Sequence, residues 1–387
     1  MRILSVHNSY QVRGGEDESR KTEENLLRSY GHTVDAYEIS NDLIKEMSLV
    51  KVAARTIWSQ ETYQVVSNKL AENTYDIVHV QNFFPLISPS IFYAAKSANV
   101  PVIQTLRNYR LMCPNALFFR DGGVCEDCVG KSIPYPGIVH GCYRESRAAS
   151  AITAAMIVSH RMINTWNSKV DGYIALTHFA KNKFVESGFP PEKIHVKPNF
   201  VSPDPDVATG AGNYALYVGR LSVEKGLDTL LRAWELLDYS IELRIVGDGP
   251  LTDQVKAAAS RSDQIKWMGR LPVNDVYDLM GDAQFLVFPS KWYETFGRVA
   301  VEAFAKGTPV IASEIGAIAE IVDTGRTGLL FQAGNPIDLA SKVNKLTSNT
   351  AQLLKMRHQA RNEFMSKYTA EINYSRLIEI YQQHIAS

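Results

Sequence analysis

The sequence is short of several things, and each shortage narrows what the chain can be. Cysteine is scarce: the four in 387 residues all fall between positions 113 and 142, so thiol chemistry is confined to one segment. There is no excess of either charge, with 41 Lys+Arg against 41 Asp+Glu and a pI near 7.1, so no broad field for a polyanion exists and nucleic acid is not an expected partner. No apolar run approaches the ~18 residues that a membrane-spanning helix needs, so any membrane attachment is expected to be peripheral. A leader-like start is also missing. Met1 runs straight into RILSVHN, which reads as a first strand, and the expected location is the cytoplasm, at most at the inner face of the cell membrane. The spacing G-x-G-x-x-G occurs in neither half, which removes the dehydrogenase reading. What remains, at 45% hydrophobic and 21% charged, is an ordinary globular chain long enough for two domains.

The stretch that organises the rest is Phe288 to Ala312, FPSKWYETFGRVAVEAFAKGTPVIA. It reads as a buried strand end (Phe285 to Phe288), a turn, a helix opening near Phe296 and a second apolar strand from Pro309. Gly297 falls where the first unpaired backbone N–H groups of the helix emerge, a place suited to phosphate because the amides are aligned and glycine permits close approach. Glu294 precedes that turn and Glu302 follows eight positions on, two helical turns along. Two carboxylates flanking an anion hole suit a sugar nucleotide, with the amides on the diphosphate and the acids on hydroxyl-rich groups at either side. A surface helix accounts for either glutamate alone, but not for the constellation.

The frame E-x7-E, with PS before it and FGRVAVEAFAKGTPVIAS around it, resembles the signature of the family 4 retaining glycosyltransferases. The resemblance is most specific from Tyr214 to Phe331 and weaker in the N-terminal half. It implies an α/β protein of two facing Rossmann-like domains, the GT-B arrangement, with the donor held mainly by the second and a last helix crossing back to the first. The boundaries expected are 1–202 for an acceptor-side domain with a cysteine-containing insertion at about 107–145, 203–364 for the nucleotide-sugar domain, and 365–387 for the final helix.

Along the first half, Ile3 to Val6 is a strand, and HNSYQVRGGEDES carries Gly14 and Gly15 ahead of a helix running to about Tyr30. The glycine pair serves either a tight turn or the approach of a phosphate or reacting sugar; the family comparison favours the second. Leu43 to Leu70 reads as helical, with its basic residues either solvated or touching an anionic membrane or lipid-linked acceptor. Asp76 to Val80 is a buried strand in which His79 reads as a core histidine. Val100 to Thr105 is the next strand. Two residues beyond it the family commonly places a histidine that contacts the donor sugar, and this chain has Arg107 instead, a fixed cation for the diphosphate, for a carboxylate on an unusual sugar, or for Glu294. Arg144 to Lys169 reads as one packed helix.

Cys113, Cys125, Cys128 and Cys142 have a central CxxC flanked by single cysteines, so a structural zinc held by all four is one reading. Thiols without a metal are another, and disulfides a third, less suited to a reducing compartment. No catalytic metal is expected.

The segment SPDPDVATGAGN, residues 202–213, reads as the linker, and Asp204 with Asp206 as a turn rather than a metal-binding D-x-D. After the strand Tyr214 to Val218 come Gly219, Arg220 and, five residues on, Lys225, two cations able to neutralise a diphosphate leaving group without a metal. This GRL…EKG stretch also matches the family's diphosphate contacts. Gly247 and Gly249 stand at the next strand end, and Gly269, Arg270 and Leu271 in the stretch whose backbone contacts the base in relatives, suiting uracil without excluding guanine. Thr295, Phe296, Gly297, Arg298 and Val299 complete the expected substrate contacts. The expected reaction is transfer of a hexose, glucose-type, from a UDP-sugar to a glycan or lipid-linked acceptor with retained configuration. Catalysis would rest on Glu294, Arg220, Lys225 and Arg107, with Glu302 on the ribose. The alternatives are a sugar-nucleotide epimerase or hydrolase on the same scaffold and a non-catalytic nucleotide-sugar-binding subunit.

Overall fold

The computed structural model describes residues 1–11, 14–238 and 240–385. The chain forms two compact units: Met1–Phe118, Cys125–Pro198 and Asn373–Ser387 make the first, Phe119–Val124 and Asn199–Ile372 the second. Between them they hold fourteen strands among the described residues. The first unit carries β1 (Arg2–Ser9), β2 (Thr33–Ser40), β3 (Ile77–Asn82), β4 (Val102–Leu106), β7 (Gly172–Ala175) and β8 (Ile194–Val196), while the short antiparallel pair that falls between β4 and β7 in the chain, β5 (Phe119–Arg120) and β6 (Gly123–Val124), is assigned to the second. The second unit carries β9 (Tyr214–Val218), β10 (Glu242–Val246), β11 (Ile265–Gly269), β12 (Phe285–Phe288), β13 (Val310–Ser313) and β14 (Gly328–Phe331).

Each unit is built on one parallel six-stranded sheet, ordered β2-β1-β3-β4-β7-β8 in the first and β11-β10-β9-β12-β13-β14 in the second. Their central strands are buried throughout, as β3 and β12 show, because a doubly wound sheet is covered on both faces and selects continuous apolar runs. In such a sheet the strand order reverses at one place, and the loops leaving the carboxyl ends there diverge to leave a crevice. That place is between β1 and β3 in the first unit and between β9 and β12 in the second. The expected α/β class with two Rossmann-like domains is therefore what the chain adopts.

From Asn373 on, the helix Ala370–Ile385 belongs to the first unit, where Leu377, Ile380 and Tyr381 pack with Ile3, Ile77, Ile103 and Ile174 from the sheet. Burying Leu377 and Ile380 contributes on the order of 2 kcal/mol each. Residues 202–213 lie within the second unit and are tied down there. Arg361 donates to both oxygens of Asp204 at 2.8 and 2.7 Å, and Arg357 to the Ala208 carbonyl, so Asp204 is spoken for by a guanidinium.

Two long helices expected from periodicity are broken. Leu43 to Leu70 is a 3-10 turn, Asn41–Glu46, and two helices, Leu49–Ile57 and Gln60–Glu72. Ser48 and Ser59 each cap a new start by accepting from Lys51 N and Thr62 N, which outweighs the continuous apolar period. Arg144 to Lys169 resolves into Arg147–Met162 and a single turn, Thr165–Ser168, separated by Asn164 in the left-handed region at φ 56°. The helix after β12 begins at Arg298, with Gly297 as its cap, two residues later than the apolar pattern suggests.

Candidate functional site

In the second unit, the reversal point brings together the loop after β9 and the loop after β12. Glu294 Oε1 receives Lys225 Nζ at 2.5 Å, Ser290 Oγ at 3.0 Å and Trp292 Nε1 at 3.0 Å. The Lys225 ammonium also lies 5.4 Å from the Trp292 ring centre, so the cation is held by a carboxylate on one side and an aromatic face on the other. Lys225 was expected on the diphosphate alone; here it is also the ion-pair partner of Glu294. Arg220 is exposed at the end of β9, and its guanidinium makes no hydrogen bond or ion pair among the described residues.

Eight residues beyond Glu294, Glu302 is buried on the first turns of the helix Arg298–Ala305 and accepts from Arg298 Nε at 2.8 Å. Burial pushes its carboxyl up, and Arg298 pulls against that. Gly297 gives the helix start no side-chain cap, and its carbonyl accepts from Ala300 N at 2.9 Å; a helix start of this kind suits an anion. A Cβ at Gly297 would stand 2.8 Å from Ile318 Cδ1, so glycine is also what the packing admits. Phe296 is buried against Tyr368, while Thr295 and Val299 are half-buried at the same turn.

The ends of β9, β10 and β11 are laced together: Gly219 N donates to the Val246 carbonyl at 3.1 Å and Gly247 N to the Gly269 carbonyl at 2.8 Å. Gly247 adopts φ 136°, and a side chain there would run into the Gly219 carbonyl. Gly249, at φ 154°, turns the chain so that its amide meets Thr252 Oγ1 at 2.9 Å. Arg270 and Leu271 follow β11, the first exposed and the second half-buried.

In the first unit, Gly14 caps the helix α1 (Gly15–Ser29), and a Cβ at Gly14 or Gly15 would meet nothing within 4 Å. Its amide donates to Asp17 Oδ2 at 2.9 Å, and His7 Nε2 lies 2.8 Å from Asp17 Oδ1. Burial works against the Asp17 carboxylate, but these two bonds hold its pKa below the usual value. Arg107 is buried at the end of β4, with Nε and Nη2 both donating to Gln81 Oε1 at 2.9 and 2.6 Å. Gln81 Nε2 donates in turn to Glu23 Oε1 at 2.6 Å. The other oxygen of Glu23 receives Lys197 Nζ at 2.8 Å, and Lys197 reaches Asn373 Oδ1 on the last helix at 3.0 Å. Burial would raise Glu23, yet Lys197 foremost, then His79 and Arg107, hold it at about 2. His79 sits inside this network as a core residue, sharing hydrogen bonds with Tyr381 Oη and Thr105 Oγ1 at 2.7 Å each, and burial lowers it to about 4.

Sequence reasoning did not find this relay. Its one local trace is the polar residues His79, Gln81 and Asn82 in the fully buried strand IVHVQN, since the partners come from positions 23, 107, 197 and 373. It also missed Ser290 and Trp292, which brace Glu294, and Glu16, whose carboxyl meets Asn108 Nδ2 at 3.4 Å and is raised by burial.

The four-cysteine zinc reading gains no support. All four stand as thiols, and among the described residues no group of three or more His, Cys, Asp or Glu is placed to hold a metal ion. The Cys128 thiol is pushed up to about 12 by burial; the Gly137 amide opposes this, and the neighbouring Cys113, Cys142 and Cys125 add to it.

Residues 206–363 match the family model described as glycosyl transferases group 1. Among curated proteins, the chain is 34% identical over 176 residues to an uncharacterized glycosyltransferase of Methanocaldococcus jannaschii, a match covering 45% of this chain and 49% of that one. It is 30% identical to the 2-deoxystreptamine N-acetyl-D-glucosaminyltransferase of Niallia circulans, over 44% of this chain and 46% of the relative. The chain spans about half the length of the curated relatives it matches. Among solved structures, Anabaena HepE in complex with UDP aligns with TM-score 0.70 at 17% identity, covering 99% of this chain and 100% of that one. Sucrose-phosphate synthase of Thermosynechococcus elongatus aligns with TM-score 0.70 at 16% identity, covering 100% and 99%. The fold is thus of the GT-B kind, with two parallel-sheet Rossmann-like domains.

Proposed function

From the premise that residues 206–363 are a glycosyl transferases group 1 segment, we propose that this protein is a retaining hexosyltransferase. The donor is a nucleotide diphosphate sugar, UDP-linked and glucose-type, and the acceptor a glycan or lipid-linked saccharide of a polysaccharide pathway. The observation that carries the reading is the pairing of each glutamate of the E-x7-E frame with its own cation, on either side of an uncapped helix start at the reversal point of the second sheet.

The chemical difficulty is the negative charge that gathers on the diphosphate as the glycosidic bond breaks. Arg220, Lys225 and the amides of Gly297, Arg298 and Val299 stabilise it without a catalytic metal. Because Lys225 already holds Glu294, a diphosphate arriving at Lys225 shifts the carboxylate's partners and orients Glu294 toward the hydroxyls of the sugar. Glu302, held by Arg298, accepts from the ribose. Arg107 adds a fixed positive charge from the first domain, and Gly14 and Gly15 let backbone approach the reacting groups. The domains proposed are those of the sequence reading, 1–202, 203–364 and the final helix 365–387.

The test is Glu294→Ala. Turnover should fall by roughly a hundredfold or more while UDP affinity stays within a few-fold of the parent, measured by product formation and calorimetry. Unchanged turnover rejects the assignment. Peripheral membrane contact is proposed through the start of the helix Leu49–Ile57, where Leu49 and Val50 are 84% and 79% exposed beside Lys51. Co-sedimentation with anionic vesicles should be lost in Leu49→Ser/Val50→Ser and weakened by salt.

A further inference from the structure

From Asn373 on, the helix Ala370–Ile385 meets the first unit along a seam in which histidine recurs. Nε2 of His32 lies 2.8 Å from Tyr374 Oη, Nδ1 of His79 lies 2.7 Å from Tyr381 Oη, and Nε2 of His195 lies 3.1 Å from Nε2 of His384. Tyr374, Tyr381 and His384 share one face of the helix with the buried Leu377. Their partners stand just before β2, on β3 and on β8, so the seam reaches both edges of the sheet. Beside it Asn373 Oδ1 accepts from Lys197 Nζ, which ties the helix to the relay that ends on Arg107.

What these contacts share is a ring held neutral. The His195 and His384 ring centres are 5.3 Å apart, so the two nitrogens face each other between the rings, where one proton fits and two do not. Burial lowers the pKa of both. His384 and Lys181 add to this at His195 and Glu379 opposes it, while at His384 Asp171 opposes it and Lys193 and Lys96 add to it. Burial likewise lowers His32, helped by the Met1 amino group 3.2 Å from its Nδ1 and opposed by Asp76. At His79, lowered to about 4, Glu23 works against burial and Lys197 and Arg107 work with it. A histidine held below its ordinary 6.5 stabilises the docked helix fully above that pH, and the stability is lost as pH falls through the folded value. All four rings lie at the interface of one element, so proton uptake couples to the departure of that element.

We propose that this seam is an acid-released strap: as its rings take up protons, the helix from Asn373 on detaches from the sheet while the rest of the unit stays folded, and Lys197 loses its Asn373 partner. Several protons enter together, so the release is steeper than one histidine could make it. The inference is independent of the glycosyltransferase reading, because it concerns the fold and needs no substrate.

The experiment is amide hydrogen exchange of the full chain at pH 7, 6 and 5, read by mass spectrometry and corrected for the intrinsic pH dependence of exchange. Between pH 6 and 5, residues 373–385 should lose more than about tenfold in protection, tenfold per pH unit being the most that a single histidine can give. Helix Ser90–Ser97 of the same unit and helix Thr350–Lys367 of the second should stay within about twofold. Protection should return when the pH is restored to 7. In His195→Gln/His384→Gln, where two amides can keep one hydrogen bond without titrating, the loss should shrink several-fold. Equal protection at pH 7 and 5, a dependence no steeper than one histidine allows, a loss shared by Ser90–Ser97, or a profile unchanged in the double variant overturns the inference. The parent profile needs no variant to fold.

Discussion

The two units use the same sheet differently. In the second, acid and cation meet at loop ends: Lys225 and Glu294 keep 24% and 13% of their side-chain surface, within reach of a ligand. In the first, Glu23 and Lys197 keep 4% and 1% and are buried inside the unit. An ion pair at the mouth is cheap to rearrange, because water screens it and its partners can exchange. A buried one is locked, since separating it strands a charge in a medium that cannot solvate it. The second unit thus keeps its charges available, and the first uses its charges as a frame that ends, through Gln81, on Arg107.

The comparison is broken most sharply by Lys197→Met. It leaves Glu23 buried without its cation and should cost about 3–5 kcal/mol of stability, read from urea denaturation, with the double variant Lys197→Met/Glu23→Leu recovering much of it. Equal stability of the single variant and the parent would mean that the pair frames nothing.

Acid should then find the first unit before the second. His79 is held neutral down to about 4 by burial, against an ordinary 6.5, so the unfolded chain takes up that proton first. The stability it carries is full above pH 6.5 and is lost as pH falls through 4. Glu23, held at about 2, adds a loss that begins below its ordinary 4.5 and runs down to about 2. The urea midpoint should decline from pH 6.5 to 4, and His79→Gln should flatten that decline.

Lys225→Met probes the other side of the contrast. Its effect on stability should stay within about 1 kcal/mol, while turnover falls roughly tenfold or more because the leaving diphosphate loses a cation. A large loss of stability with intact turnover would reverse the roles of the two pairs. The smallest structural effect is expected at Gly14→Ala, which meets open space at an extended φ of −135° and should shift stability by about 0.5 kcal/mol or less. If the glycine pair receives substrate, the KM of donor or acceptor rises several-fold all the same; unchanged KM values would return Gly14 to being a turn residue.

Much of this was legible beforehand, and the reason is range. Strands such as Tyr214–Val218 and Phe285–Phe288 announce themselves because a sheet covered on both faces admits only apolar side chains, a demand written over four or five consecutive residues. The split of Leu43 to Leu70 was less visible: Ser59 caps a helix only because the chain bends there, with Ser59 N meeting Ser88 Oγ at 2.8 Å from another part of the unit.

By itself the sequence determined the two α/β halves and the placing of Glu294 and Glu302 around a glycine-capped helix start, because strand periodicity and helical rise are local geometry. Glu302 meets Arg298 one helical turn away, but only the tertiary structure decided which cation Glu294 or Glu23 meets. Lys225 and Glu294 are 69 residues apart and Glu23 and Lys197 are 174 apart, and nothing along the chain sets the distance between such groups until the sheets have formed.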